Sequence, residues 1–293
     1  MIAVEPSAAV EMHDDSFCDI FLPQDESATS LDALAYADGM CAHFGAHLNG
    51  LMVGVVPYYP ISLTTASAPD GWIRAQKQAN EEASLTEKRL RAFYASLSAP
   101  AELKRVDAFE QEVARLCASR ARAADLTVMG WSSGGGGDLE RSVFEACLFE
   151  SGRPVLLVPP KAEFLAPPKR VLLAWNGSRE GARALREALP LLRRARLTRI
   201  VVVDSEDPDV GDLDDASAQV ARHLTRHRVA VETRRAHSGG RDIALTLAEE
   251  VEQFGAGLLV LGGYGHMRGG QWVYGGVTRS ALTLARTPLF FAY

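Results

Sequence analysis

Long apolar runs are missing from this chain: none approaches membrane-spanning length, and the start Met1-Ile-Ala-Val-Glu-Pro has no basic segment ahead of an apolar one. A membrane-spanning segment and a secretory leader are not expected, and the expected location is the cytoplasm. Positive charge is in deficit, with 31 Lys and Arg against 37 Asp and Glu and a net charge of −6. A nucleic-acid binder would carry a basic excess or patch, so that class is excluded. The four cysteines, Cys18, Cys41, Cys117 and Cys147, contain no Cys-x-x-Cys pair, which argues for reduced core thiols and against a disulfide frame or zinc site. There is no Gly-x-Ser-x-Gly elbow and no His-Glu-x-x-His. His43, His47, His223, His227 and His237 fall on helix or strand ends and are expected at the surface. No catalytic group is assigned.

What is present is 293 residues, 47% of them hydrophobic, enough for two domains of ordinary size. The stretch from Leu258 to Thr278 organises the chain. It opens as the apolar run Leu258-Leu-Val-Leu, breaks into a glycine-rich loop from Gly262 to Gly276, and resumes as a helical pattern through Ala281, Leu282 and Ala285. That order predicts a buried parallel strand, a loop of exposed backbone and a helix start. Backbone N–H groups and the positive end of a helix make an anion cradle, suited to phosphates.

Alternating short apolar runs and helical patterns fill the rest. In the first half strands are expected at Phe17–Pro23, His47–Val56, Leu103–Phe109, Asp125–Gly130 and Arg153–Pro159. Between them a helical pattern runs through Leu31, Leu34, Ala35 and Cys41, and further helices are expected at Ala75–Leu97, Gln111–Ala123 and Val143–Phe149, while Pro57–Trp72 is read as a surface loop. The order then repeats. Lys169 to Glu180 aligns without a gap on Cys18 to Thr29, putting Asn176 on Asp25 and Ser178 on Ser27. Arg199–Asp204, Val229–Arg235, Gly257–Gly262 and Pro288–Tyr293 follow as strands, with helices at Asp212–His227 and Asp242–Gln253. Such a repeat constrains every boundary twice. It predicts two tandem α/β domains: an arm at residues 1–16, a first domain at 17–160, a proline-rich linker at 161–168 and a second domain at 169–293.

Gly262-x2-Gly265-x9-Gly275, followed by Gly276-Val277-Thr278, resembles the nucleotide loop of the ATP-binding universal stress proteins, and with the tandem repeat the resemblance covers most of the chain. It implies Rossmann-like or flavodoxin-like domains, each a mostly parallel five-stranded sheet flanked by helices. Single-domain members of that family commonly dimerise through their last strands. Here Val155–Val158 and Leu289–Tyr293 can pair inside one chain as a pseudo-dimer, removing two exposed sheet edges. A further homodimer of such chains stays open.

Ligands of open α/β sheets bind beyond the carboxyl ends of the strands. In the second half those ends are Asn176-Gly177, Val202 and the glycine loop. The resemblance implies ATP or AMP, with Asn176 in place of an aspartate near the nucleoside and Val202 meeting adenine through its main chain. Gly262 and Gly265 would allow close approach, and Gly275, Gly276 and Val277 would offer N–H groups. Thr278 adds a hydroxyl. Gly276 departs from the family pattern, which usually has a hydroxyl residue there. His266 and Arg268 can reach phosphate oxygens, the alternative for His266 being a solvated loop residue. Asn176 brings no charge to a magnesium ion, so metal assistance is weakened. The acidic run Asp204 to Asp215 is a solvated segment or, alternatively, a cation site.

The first-half loop, Trp131 to Ser142, is two residues shorter and has Arg141-Ser142 where Gly275-Gly276 stand. Arg141 is expected to fill the phosphate space, leaving a degenerate, empty site. Ser133 to Asp138 also looks like the loop of ATP pyrophosphatases, but it follows the fourth strand instead of the first. The function expected is a stress-response nucleotide sensor or regulator acting on an unidentified protein partner, with at most slow ATP hydrolysis because no general base is positioned. The alternative is a nucleotide-free scaffold.

Overall fold

The computed structural model describes residues 16–58, 70–132, 137–203, 213–263, 265–268, 271–274, 280–282 and 286–293, with the backbone alone at 213–216, 265–268 and 271–274. The first half contains β1 (Asp19–Gln24), α1 (Ala28–Phe44), β2 (His47–Val56), α2 (Asp70–Tyr94), β3 (Ala101–Phe109), α3 (Glu110–Ala121), β4 (Leu126–Gly130), α4 (Asp138–Glu150) and β5 (Val155–Val158). The second contains β6 (Arg170–Ala174), α5 (Arg179–Glu187), α6 (Leu189–Leu192), β7 (Leu197–Val203), α7 (Leu213–Arg226), β8 (Val231–Ala236), α8 (Ile243–Phe254), β9 (Leu258–Gly262), β10 (Gly265–Arg268), β11 (Gln271–Tyr274) and β12 (Leu289–Ala292).

Ten strands form one sheet in the order β3-β2-β1-β4-β5-β12-β9-β6-β7-β8. Within each half the pairs of this sheet are parallel, as strand–helix–strand crossovers make them. The halves join at the centre, where β5 and β12 run antiparallel with Leu289 opposite Leu157 and Phe291 opposite Val155. The expected pairing of last strands is therefore made within the chain. All four residues of β5 and all four of β12 are buried, since helices cover both faces of the sheet there. Phe144 of α4 meets Phe291 edge to face at 5.7 Å, so the packing crosses the halves as the hydrogen bonds do.

Local chemistry sets the element ends. Ser27 caps α1 and Ser178 caps α5, each hydroxyl accepting from the N–H three residues on. Gly45 and Gly255 close α1 and α8 in the left-handed region, at φ 70° and 64°, where a side chain would be strained. At the outer edges, β3 and β8 mix charged residues with apolar ones, which discourages pairing with another sheet.

Two expectations need correction. The loop expected to run to Trp72 gives way to α2 at Asp70, and α2 takes in Gly71 and Trp72, whose indole N–H donates to the Pro57 carbonyl at 3.3 Å. Of the cysteines, Cys41, Cys117 and Cys147 are buried but Cys18 is exposed. Residue 18 lies just before β1, next to Phe17, and it is the Phe17 ring that packs into the core, against Phe44. The five named histidines avoid the core, as expected. The arm at residues 1–15 and most of the acidic run, from Asp204 to Asp212, lie outside the described residues.

Candidate functional site

At the carboxyl end of β6 the chain turns sharply at Gly177, φ 75°, before α5 begins. Asn176 holds this turn: its Oδ1 accepts from the Ser178 N–H at 3.2 Å and the Ser178 hydroxyl at 2.7 Å. In the first half Asp25 makes the same turn, its Oδ1 accepting from the Ser27 N–H at 2.8 Å and the Ser27 hydroxyl. The amide and the carboxylate are thus equivalent in folding and differ in charge. Before them stand unlike residues. Gln24 is buried and bonded to Ser30 and Tyr94, whereas the Trp175 indole N–H is buried with no hydrogen-bond partner among the described residues.

β6 pairs with β7 as far as Ala174 opposite Val201, and Trp175 N–H then donates to the Val201 carbonyl at 2.9 Å. Val202 lies one residue past this last rung. Its side chain is buried at 3% exposure, and on the far side it pairs with Arg235 of β8. Where β6 leaves the sheet, a notch in the row of strand ends lies between the Asn176 turn, the β7 main chain and the end of β9.

Gly262 ends β9, but its missing side chain serves packing. A Cβ there would lie 2.6 Å from the Gly181 nitrogen and 2.7 Å from the Glu180 carbonyl carbon, both backbone atoms of α5. Gly130 has the same role at the end of β4, where a Cβ would come within 2.2 Å of the Thr29 carbonyl oxygen. Both glycines let the first helix of each half sit against the fourth strand of that half. Glu180, 5% exposed, takes a hydrogen bond from Arg179 at 2.5 Å. Burial pushes its carboxyl up, but the bonds from Arg179, its own backbone N–H and Ser178 outweigh that, and the net shift is downward.

Beyond Gly263 the expected irregular loop instead contains a hairpin, β10 pairing antiparallel with β11 from Gly265 opposite Tyr274 to Arg268 opposite Gln271. His266 and Arg268 therefore sit on a strand. A sequence signal for this existed: Gly269-Gly270 separates Gly265–Arg268 from Gln271–Tyr274, and a glycine pair between two such segments favours a tight β-turn. Gly275, Gly276, Val277 and Thr278 lie outside the described residues. A helical turn at 280–282 follows them, and Ala285 is again outside.

The equivalent first-half crevice, about 250 Å³, is lined at the strand ends by Asp25, Val53 and Gly130, with Ser132 and Glu140 above them. Arg141 is exposed and does not line it; Glu140 does. The Glu140 carboxylate accepts from Ser132 N–H at 3.0 Å and from Gly137 N–H at 3.3 Å. An in-chain anion thus takes N–H groups of the kind a phosphate would need. A larger cavity of about 410 Å³ runs along α8 past Leu259, the second residue of β9, and Leu289, the first of β12, so it is remote from the carboxyl-end notch. Among the described residues no group of three or more His, Cys, Asp or Glu could hold a metal ion.

Residues 168–291 match the model of the universal stress protein family. The second half therefore belongs to the universal stress protein family, and the first half repeats the same strand order. The structure is similar to that of a universal stress protein from Archaeoglobus fulgidus DSM 4304, at TM-score 0.68 and 19% identity over 94% of this chain and 97% of that one. It is also similar to a functionally unknown protein from Pseudomonas aeruginosa PAO1, at TM-score 0.52 and 10% identity over 95% of this chain and 93% of that one. At these identities the likeness concerns the fold. No curated protein matches the chain in sequence. Among the described residues, no helix is long and apolar enough to cross a membrane.

Proposed function

We propose that this universal stress protein binds one adenine nucleotide, ATP or AMP, in its second half, and that occupancy regulates contacts with a protein partner. The domains that carry this reading are residues 17–160 and 169–293, joined by 161–168. The observation that supports it best is the notch at the end of β6, where Val202 passes the last rung between the Asn176 turn and Gly262. A base can meet the β7 main chain there while phosphates extend toward Gly265 and the segment from Gly275 to Thr278. The Trp175 indole N–H, buried and unpartnered among the described residues, adds an available donor beside the notch.

A magnesium ion fits the described residues poorly. Asn176 is neutral, and its Oδ1 already accepts from Ser178. No catalytic step is assigned to a metal. The first half is closed to phosphate, because Glu140 holds the Ser132 and Gly137 N–H groups.

Calorimetric titration of ligand-stripped protein with ATP, ADP and AMP tests this. Binding of about one nucleotide per chain is expected, lost in Gly265→Asp, whose carboxylate would repel the phosphates. No heat and no rise in melting temperature at millimolar nucleotide would leave a scaffold without a nucleotide.

A further inference from the structure

The second-half site borrows a support from the first half. Trp131 follows β4, is 3% exposed, and directs its indole N–H across the junction to the Leu282 carbonyl oxygen at 2.8 Å, in a buried bond. Leu282 lies in the helical turn at 280–282, four residues in sequence past Thr278, so the bond holds the turn that follows the segment proposed to receive the phosphates. The ring is itself fixed edge to face against Phe144 at 5.5 Å. The repeat relates Trp131 to Gly263 and Leu148 to Leu282. Main-chain bonds obey that symmetry: Trp131 N–H donates to Val158 and Gly263 N–H to Ala292, at 2.9 and 2.8 Å. The side chains break it. Gly263 has no side chain to reach back, and a Cβ there would lie 2.8 Å from Leu148 Cδ2, so the Leu148 side chain occupies the space next to it.

We propose that Trp131 is a positioning residue for the second-half site, supplied by the first half, and that the site is incomplete without it. The inference rests on the nucleotide reading above. A helix N-terminus binds an anion only if its N–H groups are held where the phosphate arrives. The Leu282 bond supplies that restraint from outside the second half, and it runs in one direction.

The test uses full-length Trp131→Phe and a protein with 3-benzothienylalanine at position 131, which keeps the ring shape but lacks the N–H. Amide hydrogen exchange over 280–286 is measured without nucleotide, and ATP and AMP affinity by calorimetry. Both proteins should show faster exchange over 280–286 than wild type and bind about five- to thirtyfold more weakly, the effect of losing one buried hydrogen bond. Exchange over β1 and β2 should not change, which separates loosening from general unfolding. Unchanged exchange at 280–286 overturns the proposal, whatever the nucleotide result. Faster exchange with unchanged affinity also overturns it, leaving a structural tie alone. If wild type binds no nucleotide, the proposed function fails and the positioning role with it, while exchange still reports whether the bond restrains the helix.

Discussion

The two halves repeat one architecture, yet different residues stand at their strand ends. In the first, Asp25 brings a charge, Gln24 is fully bonded, and Glu140 takes the N–H groups of Ser132 and Gly137. In the second, a neutral Asn176 stands in the same turn, Trp175 leaves a buried N–H unpartnered among the described residues, and the strand-end glycine leads into a hairpin. Scaffold contacts were kept in both: the serine caps, the strand-end glycines and the last-strand pairing. Folding requirements hold a repeat together, while residues that only meet a ligand are free to diverge.

The largest test breaks the junction that joins the halves. Phe291→Ala empties a site of 0% exposure between β12 and Phe144, and should cost about 3–5 kcal/mol in urea unfolding. Loss confined to one half would mean the halves fold independently. Next, Gly130→Ala and Gly262→Ala each force a Cβ into helix backbone and should cost about 1–3 kcal/mol, with similar values showing a shared structural role. An unaffected midpoint for Gly262→Ala would instead assign that glycine to ligand approach alone. Ser27→Ala and Ser178→Ala should each lose about 1 kcal/mol by thermal unfolding, since both hydroxyls cap the first helix of their half.

Cysteine distribution offers a finer separation, because all four thiols fall in the first half. Burial pushes Cys41 and Cys117 up to about 12. A folded thiol pKa raised above its unfolded value leaves its contribution whole below about pH 8.5 and removes it as pH rises toward the folded value. The stability of the first half should therefore fall in alkali, and Cys117→Ala should flatten that slope. In native protein at neutral pH, a thiol reagent should label exposed Cys18 first. The smallest effect is expected for Asn176→Asp, which preserves the turn as Asp25 does and should shift the unfolding midpoint by no more than about 0.5 kcal/mol.

Much of the fold was legible because the repeat states it twice. Short apolar runs at fixed order marked the strands, and the repeat placed Ser178 on Ser27, although only the structure shows both as helix caps. Boundaries moved by a few residues where tertiary packing extends helices, as at Asp70. The hairpin was missed because glycine was weighed only as backbone freedom, although Gly269-Gly270 also fits a tight turn. Arg141 drew attention as the residue replacing a glycine, yet on α4 it is exposed, while its neighbour Glu140 reaches the Ser132 and Gly137 N–H groups. One residue of helical rotation, about 100°, separates the two directions, and only the placed helix reveals which side chain faces the loop.

Sequence alone determined the tandem α/β order, the two strand-end glycines and the paired Asp25 and Asn176 turns, because these follow from local periodicity and from residues bonding to near neighbours. Tertiary structure decided the rest. The antiparallel meeting of β5 with β12, the packing role of Gly262 against α5 and the bond from Trp131 to Leu282 join segments up to 151 residues apart. No local pattern encodes such contacts, since they exist only when two separately formed surfaces are brought together and dried.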